Sequence, residues 1–70
     1  MAKISGRNKL PGVVTKVVTD KLMAKVEIDA PGGIKLVAII TRDAAEELRL
    51  RKGMKVTALI KATEMMVVAP

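Results

Sequence analysis

Between residues 22 and 30, polar and apolar side chains alternate: Lys25, Glu27 and Asp29 stand between Ala24, Val26, Ile28 and Ala30. A period of two sends one row into a core and the other into water, which predicts a strand. Residues 13–19, entered through Leu10-Pro11-Gly12, form an earlier strand by their Val and Thr content, which suits a pleated surface. Asp20-Lys21 reads as a tight turn between the two, although it lacks the Gly that two-residue hairpins favour. Pro31-Gly32-Gly33 is a stronger turn, since Pro presets one dihedral and Gly permits positive φ. A third strand follows over residues 34–41. Its centre, Leu36-Val37-Ala38-Ile39-Ile40, is apolar on both faces, as in a strand covered by its own core on one side and another subunit on the other.

The alternation breaks over residues 42–50. Asp43-Ala44-Ala45-Glu46 resembles a capping box with Asp43 as the cap, and Ala44, Ala45, Glu46, Glu47 and Leu48 are good helix formers. Arg49, Arg51 and Lys52 gather at the carbonyl end, and Gly53 reads as the stop. Residues 54–62 alternate again as a fourth strand, and residues 65–69 are an apolar fifth. The order β-β-β-α-β-β predicts an all-β fold, a five-stranded OB-like barrel with one short helix between strands 3 and 4. No repeat or linker divides residues 1–70, so a single domain is expected. Four of the methionines, Met23, Met54, Met65 and Met66, fall in strands and suit a core that has no aromatic filler.

Composition narrows the chemistry. Seventy residues bury only about 60% of their unfolded surface, a marginal core. The chain has no Cys and no His, which excludes disulfides and thiolate or imidazole metal sites. Oligomerisation is the support that remains. The same absences remove the commonest general base and the most reactive nucleophile, so no enzyme is expected. With 13 basic and 7 acidic residues the net charge is +6, which suits an anionic partner. Phe, Tyr and Trp are all absent, and single-strand nucleic-acid binders rely on aromatic stacking. The basic opening, residues 1–9, has no apolar core after it, and an apolar run such as residues 65–69, which none exceeds in length, is far short of the roughly 20 residues a membrane helix needs. A cytoplasmic protein is expected.

The opening segment Ser5-Gly6-Arg7-Asn8-Lys9-Leu10-Pro11-Gly12 is where oxyanion chemistry concentrates. Ser donates through a hydroxyl, Gly admits close backbone approach, successive N–H groups can cradle an anion, and Arg brings charge with a forked donor. On residue types alone, the string fits a polar turn entering a strand better than it fits a binding site. It nevertheless resembles the S-A-R-N-x-L-x-G opening of the molbindin family, a module also found in molybdate-responsive regulators and at the end of molybdate importer ATPases. The likeness continues through Ile39-Ile40-Thr41-Arg42-Asp43 and Ala45-Glu46-Glu47-Leu48, then the Leu50, Gly53 and Val56 spacing, then Ile60-Lys61-Ala62-Thr63 and Met66-Val67. Gly6 stands where the family usually has Ala.

The resemblance implies OB-like barrels assembled as a homo-oligomer, a hexamer built as a trimer of dimers, with molybdate or tungstate bound between subunits. The ligand role is storage, buffering or homeostasis, and the metal enters only as its oxyanion. Carried over residue by residue, the implied site is Ser5, Gly6, Arg7, Thr41, Lys61 and Ala62. Such a set is chemically coherent. A tetrahedral dianion only accepts, so its cage should only donate: hydroxyls of Ser5 and Thr41, N–H groups of Gly6, Arg7 and Ala62, and the ammonium of Lys61. Plainer roles also fit the residues. Thr41 suits a helix cap, Lys61 a solvated strand position, Arg7 a pair with a carboxylate of another subunit, and Asn8 a turn held by side-chain-to-backbone bonds. The competing function is a small basic OB-fold nucleic-acid-binding module, supported by charge and element order and opposed by the missing aromatics.

Overall fold

The structure, a computed structural model, describes residues 3–70. Met1 and Ala2, which begin the basic opening stretch, lie outside the described residues. Four strands, β1 (Asn8–Thr19), β2 (Met23–Ala30), β3 (Ile34–Thr41) and β4 (Lys55–Ile60), are joined by one helix, α1 (Arg42–Glu47), after β3. All neighbours are antiparallel, in the order β3-β2-β1-β4.

The alternation of β2 is realised as expected: Ala24, Val26, Ile28 and Ala30 are buried. Val14, Val26 and Ile28 form the centre of the core, with Val17, Leu36, Ala38, Ile40, Leu50, Met54, Val56 and Ala58 packed against them. The β2–β3 turn uses positive φ at Gly32 and Gly33 (84° and 75°). The β1–β2 turn manages without Gly. The Asp20 carboxylate accepts the N–H groups of Leu22 (2.9 Å) and Met23 (2.8 Å), so a side chain supplies the turn. Those two bonds hold its carboxyl below the usual carboxylate range, against slight desolvation and with help from the Arg42 charge.

β1 begins earlier than the Val-rich stretch suggests. Residues 8–13 pair with β4 and residues 13–19 with β2, so one long strand serves two ladders. Pro11 is accommodated because it pairs with Thr57 on a stretch where β1 has no second partner. At Gly12 the chain passes hard against β2: a Cβ there would meet the Asp29 carbonyl oxygen and Ile28 Cγ2, each at 2.7 Å. The register then shifts between Val14 and Lys16, a bulge, and Thr15 Oγ1 donates to the Glu27 carbonyl at 3.2 Å.

Several expectations are corrected. The fifth strand over residues 65–69 does not form in this chain. A 3₁₀ turn (Ala62–Glu64) follows β4, and Met66, Val67 and Val68 beyond it are 93%, 91% and 95% exposed. Without that strand β3 and β4 remain the two edges of an open sheet, not neighbours in a closed barrel. The helix cap is Thr41, whose Oγ1 accepts the Ala44 N–H at 3.1 Å, while Asp43 lies inside the first turn. α1 also stops before Gly53. Arg49 takes the left-handed conformation (φ 54°), with Leu50 N–H donating to the Ala45 carbonyl and Arg49 N–H to that of Glu46. That is the ordinary helix-ending motif, with Arg where Gly is usual. Of the methionines assigned to the core, only Met54 packs there; Met65 and Met66 are exposed. Among the described residues no helix is long and apolar enough to cross a membrane, and no cluster of acidic, His or Cys side chains could hold a metal ion.

Candidate functional site

The β1–β4 ladder decides which candidate residues meet. Asn8 is registered opposite Ile60, so Ser5, Gly6 and Arg7 leave one end of the ladder beside Lys61 and Ala62. Two segments more than fifty residues apart in sequence thus share one end of one ladder. Gly6 is buried there, its missing Cβ facing Leu59 Cβ at 3.7 Å and Ile4 Cδ1 at 3.8 Å, which seats the opening segment on β4. Ser5, Arg7, Lys61 and Ala62 are exposed.

The electrostatics of this end favour an anion. No carboxylate of the described residues is within ion-pair distance of Arg7 or Lys61. The ion pairs lie elsewhere, Lys35 with Asp29 (3.7 Å) and Arg42 with Glu46 (2.8 Å, one helical turn apart). Among the turn and loop hydrogen bonds of the described residues, none uses the N–H of Gly6, Arg7 or Ala62. Ala62 opens the 3₁₀ turn, a position whose N–H has no partner within the turn. The segment after β4 therefore offers a backbone donor next to the Lys61 ammonium.

Thr41 is not brought to this end. It closes β3 opposite Met23, and the next β2 residue, Ala24, pairs with Thr19 at the far end of β1. A 12-residue strand is about 36 Å long if straight. Its cap role is real, but it occupies only an acceptor lone pair of Oγ1 and leaves the hydroxyl hydrogen to donate. Among the described residues, none of the six candidates lines the grooves of about 570 and 480 Å³. The candidates in one chain form an open donor surface and no enclosed cage.

Asn8 has a longer reach than a local turn role. Its Nδ2 donates to the Ile60 carbonyl at 3.0 Å, across the ladder and 52 residues away. Periodicity could not reveal this, because the partner is a backbone group. The available signal was a polar residue beside a binding motif in a stretch that turns out to be strand.

The chain is similar to a set of known proteins along almost its whole length. A family model described as the TOBE domain matches residues 4–67. The molybdenum-pterin-binding protein 1 of Clostridium pasteurianum is 39% identical, over 94% of this chain and 97% of that protein. Among solved structures, the molybdate-binding protein of Sporomusa ovata superposes with a TM-score of 0.92 at 51% identity, covering 97% of this chain and 100% of that one. ModG, described as a cytoplasmic molybdate-binding protein and solved with molybdate bound, superposes with a TM-score of 0.83 at 34% identity. It matches 87% of this chain, which spans 43% of that longer one.

Proposed function

Since the chain belongs to the TOBE-domain family of molybdenum-pterin-binding proteins, and is a binding protein and not an enzyme, we propose that it holds molybdate or tungstate between copies of itself. The observation that carries this reading is the end of the β1–β4 ladder, where the segments holding Ser5, Gly6 and Arg7 and holding Lys61 and Ala62 leave the sheet side by side. The anion receives hydroxyl and N–H donors plus two positive charges, and among the described residues no carboxylate is paired with Arg7 or Lys61. Selection against smaller oxyanions comes from the size and depth of the closed cage.

Completion of the cage between subunits is supported by three features. Thr41 stands at the other end of β1, so its hydroxyl reaches the same ligand only from a second copy. The six candidates enclose nothing within one chain. The apolar residues Met66, Val67 and Val68, together with Val37 and Ile39 on edge strand β3, are exposed here, and burial against other copies would remove that apolar surface from water. Docking of residues 65–69 as a fifth strand would also close the OB-like barrel. The assembly is a hexamer, a trimer of dimers, and the role is storage, buffering or homeostasis of the oxyanion in the cytoplasm.

Native mass spectrometry of the purified chain with molybdate, tungstate or sulfate tests the proposal. A hexamer that retains molybdate or tungstate and releases sulfate is the expected result. Displacement of molybdate by sulfate in modest excess, or a monomer indifferent to all three anions, overturns it. The nucleic-acid reading predicts a mobility shift of oligonucleotide that fades steeply with salt. The missing aromatics and the interleaving of Lys25 and Lys35 with Glu27 and Asp29 on the outer face weigh against that outcome.

A further inference from the structure

We infer that Asn8 is a positioning residue for the oxyanion site, setting the spacing of its two donor segments through its tie to the Ile60 carbonyl. This rests on the binding reading above and adds to it a residue that governs affinity and selectivity.

The geometry is specific. Asn8 directly follows Arg7, and Ile60 directly precedes Lys61. The bond from Asn8 Nδ2 to the Ile60 carbonyl, 3.0 Å long and partly buried, is therefore a cross-tie at the point where the two segments diverge. Beyond it β1 and β4 have no further paired residues, and the next hydrogen bond on the β4 side is the local one from Glu64 N–H to the Lys61 carbonyl. Nothing else among the described side-chain hydrogen bonds links residues 5–7 to residues 61–62. Gly6, packed on Leu59 and Ile4, fixes how closely the segments approach. Asn8 fixes their register and the direction in which each leaves the sheet.

The chemistry of the side chain agrees. One Nδ2 hydrogen is committed to Ile60, and the amide oxygen, an acceptor, has nothing to offer an all-acceptor anion; the second Nδ2 hydrogen stays on an amide whose plane that tie fixes. A carboxylate of the same shape could not make the tie, because it has no hydrogen to donate to a carbonyl and would add a negative charge beside Arg7. An amide is the short, neutral group that can serve here. Preorganised donors discriminate between anions of different radius only while their separation is held, so loosening the tie should weaken binding and blur selection together.

The test compares the wild-type chain, Asn8→Ala and Asn8→Gln by isothermal titration with molybdate and with sulfate. Backbone amide exchange is recorded in the ligand-free proteins. In Asn8→Ala, molybdate affinity is expected to drop by about 3- to 10-fold, the range of one lost hydrogen bond, and the molybdate-to-sulfate ratio to shrink. Exchange at the paired end of β4, residues 58–60, rises, while that at residues 24–29 in the β2 core does not. Asn8→Gln, which keeps the donor on a longer stem, recovers part of the affinity and the ratio. A general loss of stability instead raises exchange everywhere and leaves the affinity ratio unchanged; that result overturns the inference. So does an Asn8→Ala chain that binds and selects like the wild type. A wild-type chain that takes up no molybdate overturns the binding reading and this inference together, and is recognised before any variant is measured.

Discussion

Gly12 and Asp29 approach so closely that a Cβ on the glycine would stand 2.7 Å from the aspartate's carbonyl oxygen, with Ile28 Cγ2 equally near. The contact lies where β1 passes from its ladder with β4 to its ladder with β2, and both obstacles belong to β2. Gly12→Ala is expected to destabilise the fold by about 1–3 kcal/mol, the usual range for overpacking. Gly6→Ala meets only ordinary contacts at 3.7 and 3.8 Å and should stay within about 0.5 kcal/mol of the wild type. Urea midpoints of the two variants separate these outcomes.

Thr41 has one task that the structure shows and one that the proposed site adds, and substitution can divide them. Its oxygen caps α1 through the Ala44 N–H, and its hydrogen remains available to a ligand. Thr41→Ala should lose about 1 kcal/mol of stability and also lower molybdate affinity. Thr41→Ser keeps both functions, while Thr41→Asn keeps the cap with a different donor geometry. Thermal unfolding paired with titration shows whether the two losses part in the Asn variant.

Asp20 makes the fold sensitive to acid. Its carboxylate is favoured in the folded state by the Met23 and Leu22 N–H groups and by the Arg42 charge, which lower its pKa. A lowered folded pKa contributes stability above the unfolded value, and that contribution is lost as pH falls through the folded one. Unfolding midpoints should therefore decline below about pH 4, where unfolded Asp begins to protonate. The decline should be shallower in Asp20→Ala. Equal slopes in the two proteins would remove Asp20 as its cause.

The exposed segment after the 3₁₀ turn bears on assembly. Truncation after Glu64 deletes no residue of the four strands or of the core. The shortened chain is expected to keep its β-rich circular dichroism yet run as a smaller species on size exclusion. The full chain's thermal midpoint should rise with protein concentration, as mass action requires of an oligomer, and that of the truncated chain should not.

What the sequence revealed and what it hid follow from the range of the forces involved. The β2 strand, the Pro31-Gly32-Gly33 turn and the place of α1 were legible because each is set by neighbours within a few residues. The early start of β1 was not, since Pro11 argues against a strand unless one edge is known to be open. The cap fell to Thr41 instead of Asp43 because the helix begins at Arg42, a boundary that propensity does not fix to the residue. At Arg49 the helix-ending bonds to Ala45 and Glu46 require a left-handed backbone, where a non-glycine residue gives no sequence signal for it. Residues 65–69 have the composition of a strand, but a strand needs an edge, and composition does not say whose. For the site, the opening motif was readable as donor chemistry. Its grouping with Lys61 and Ala62 was implied by the family resemblance, and a physical basis for it comes only from the register of Asn8 on Ile60.

That register also bears on how the chain folds. The β1–β2 and β2–β3 pairings close through turns of a few residues, whereas the tie from Asn8 to Ile60 closes a loop of 52. Closing the larger loop carries the greater entropic penalty and slows its formation. The three-stranded meander is thus expected to collapse first, with β4 joining late and its last residues zipping up against Asn8 at the end. The end of the molecule proposed to hold the anion would then be the final part to take shape in folding and the first to fray, so an oxyanion bound there should act as a brake on unfolding.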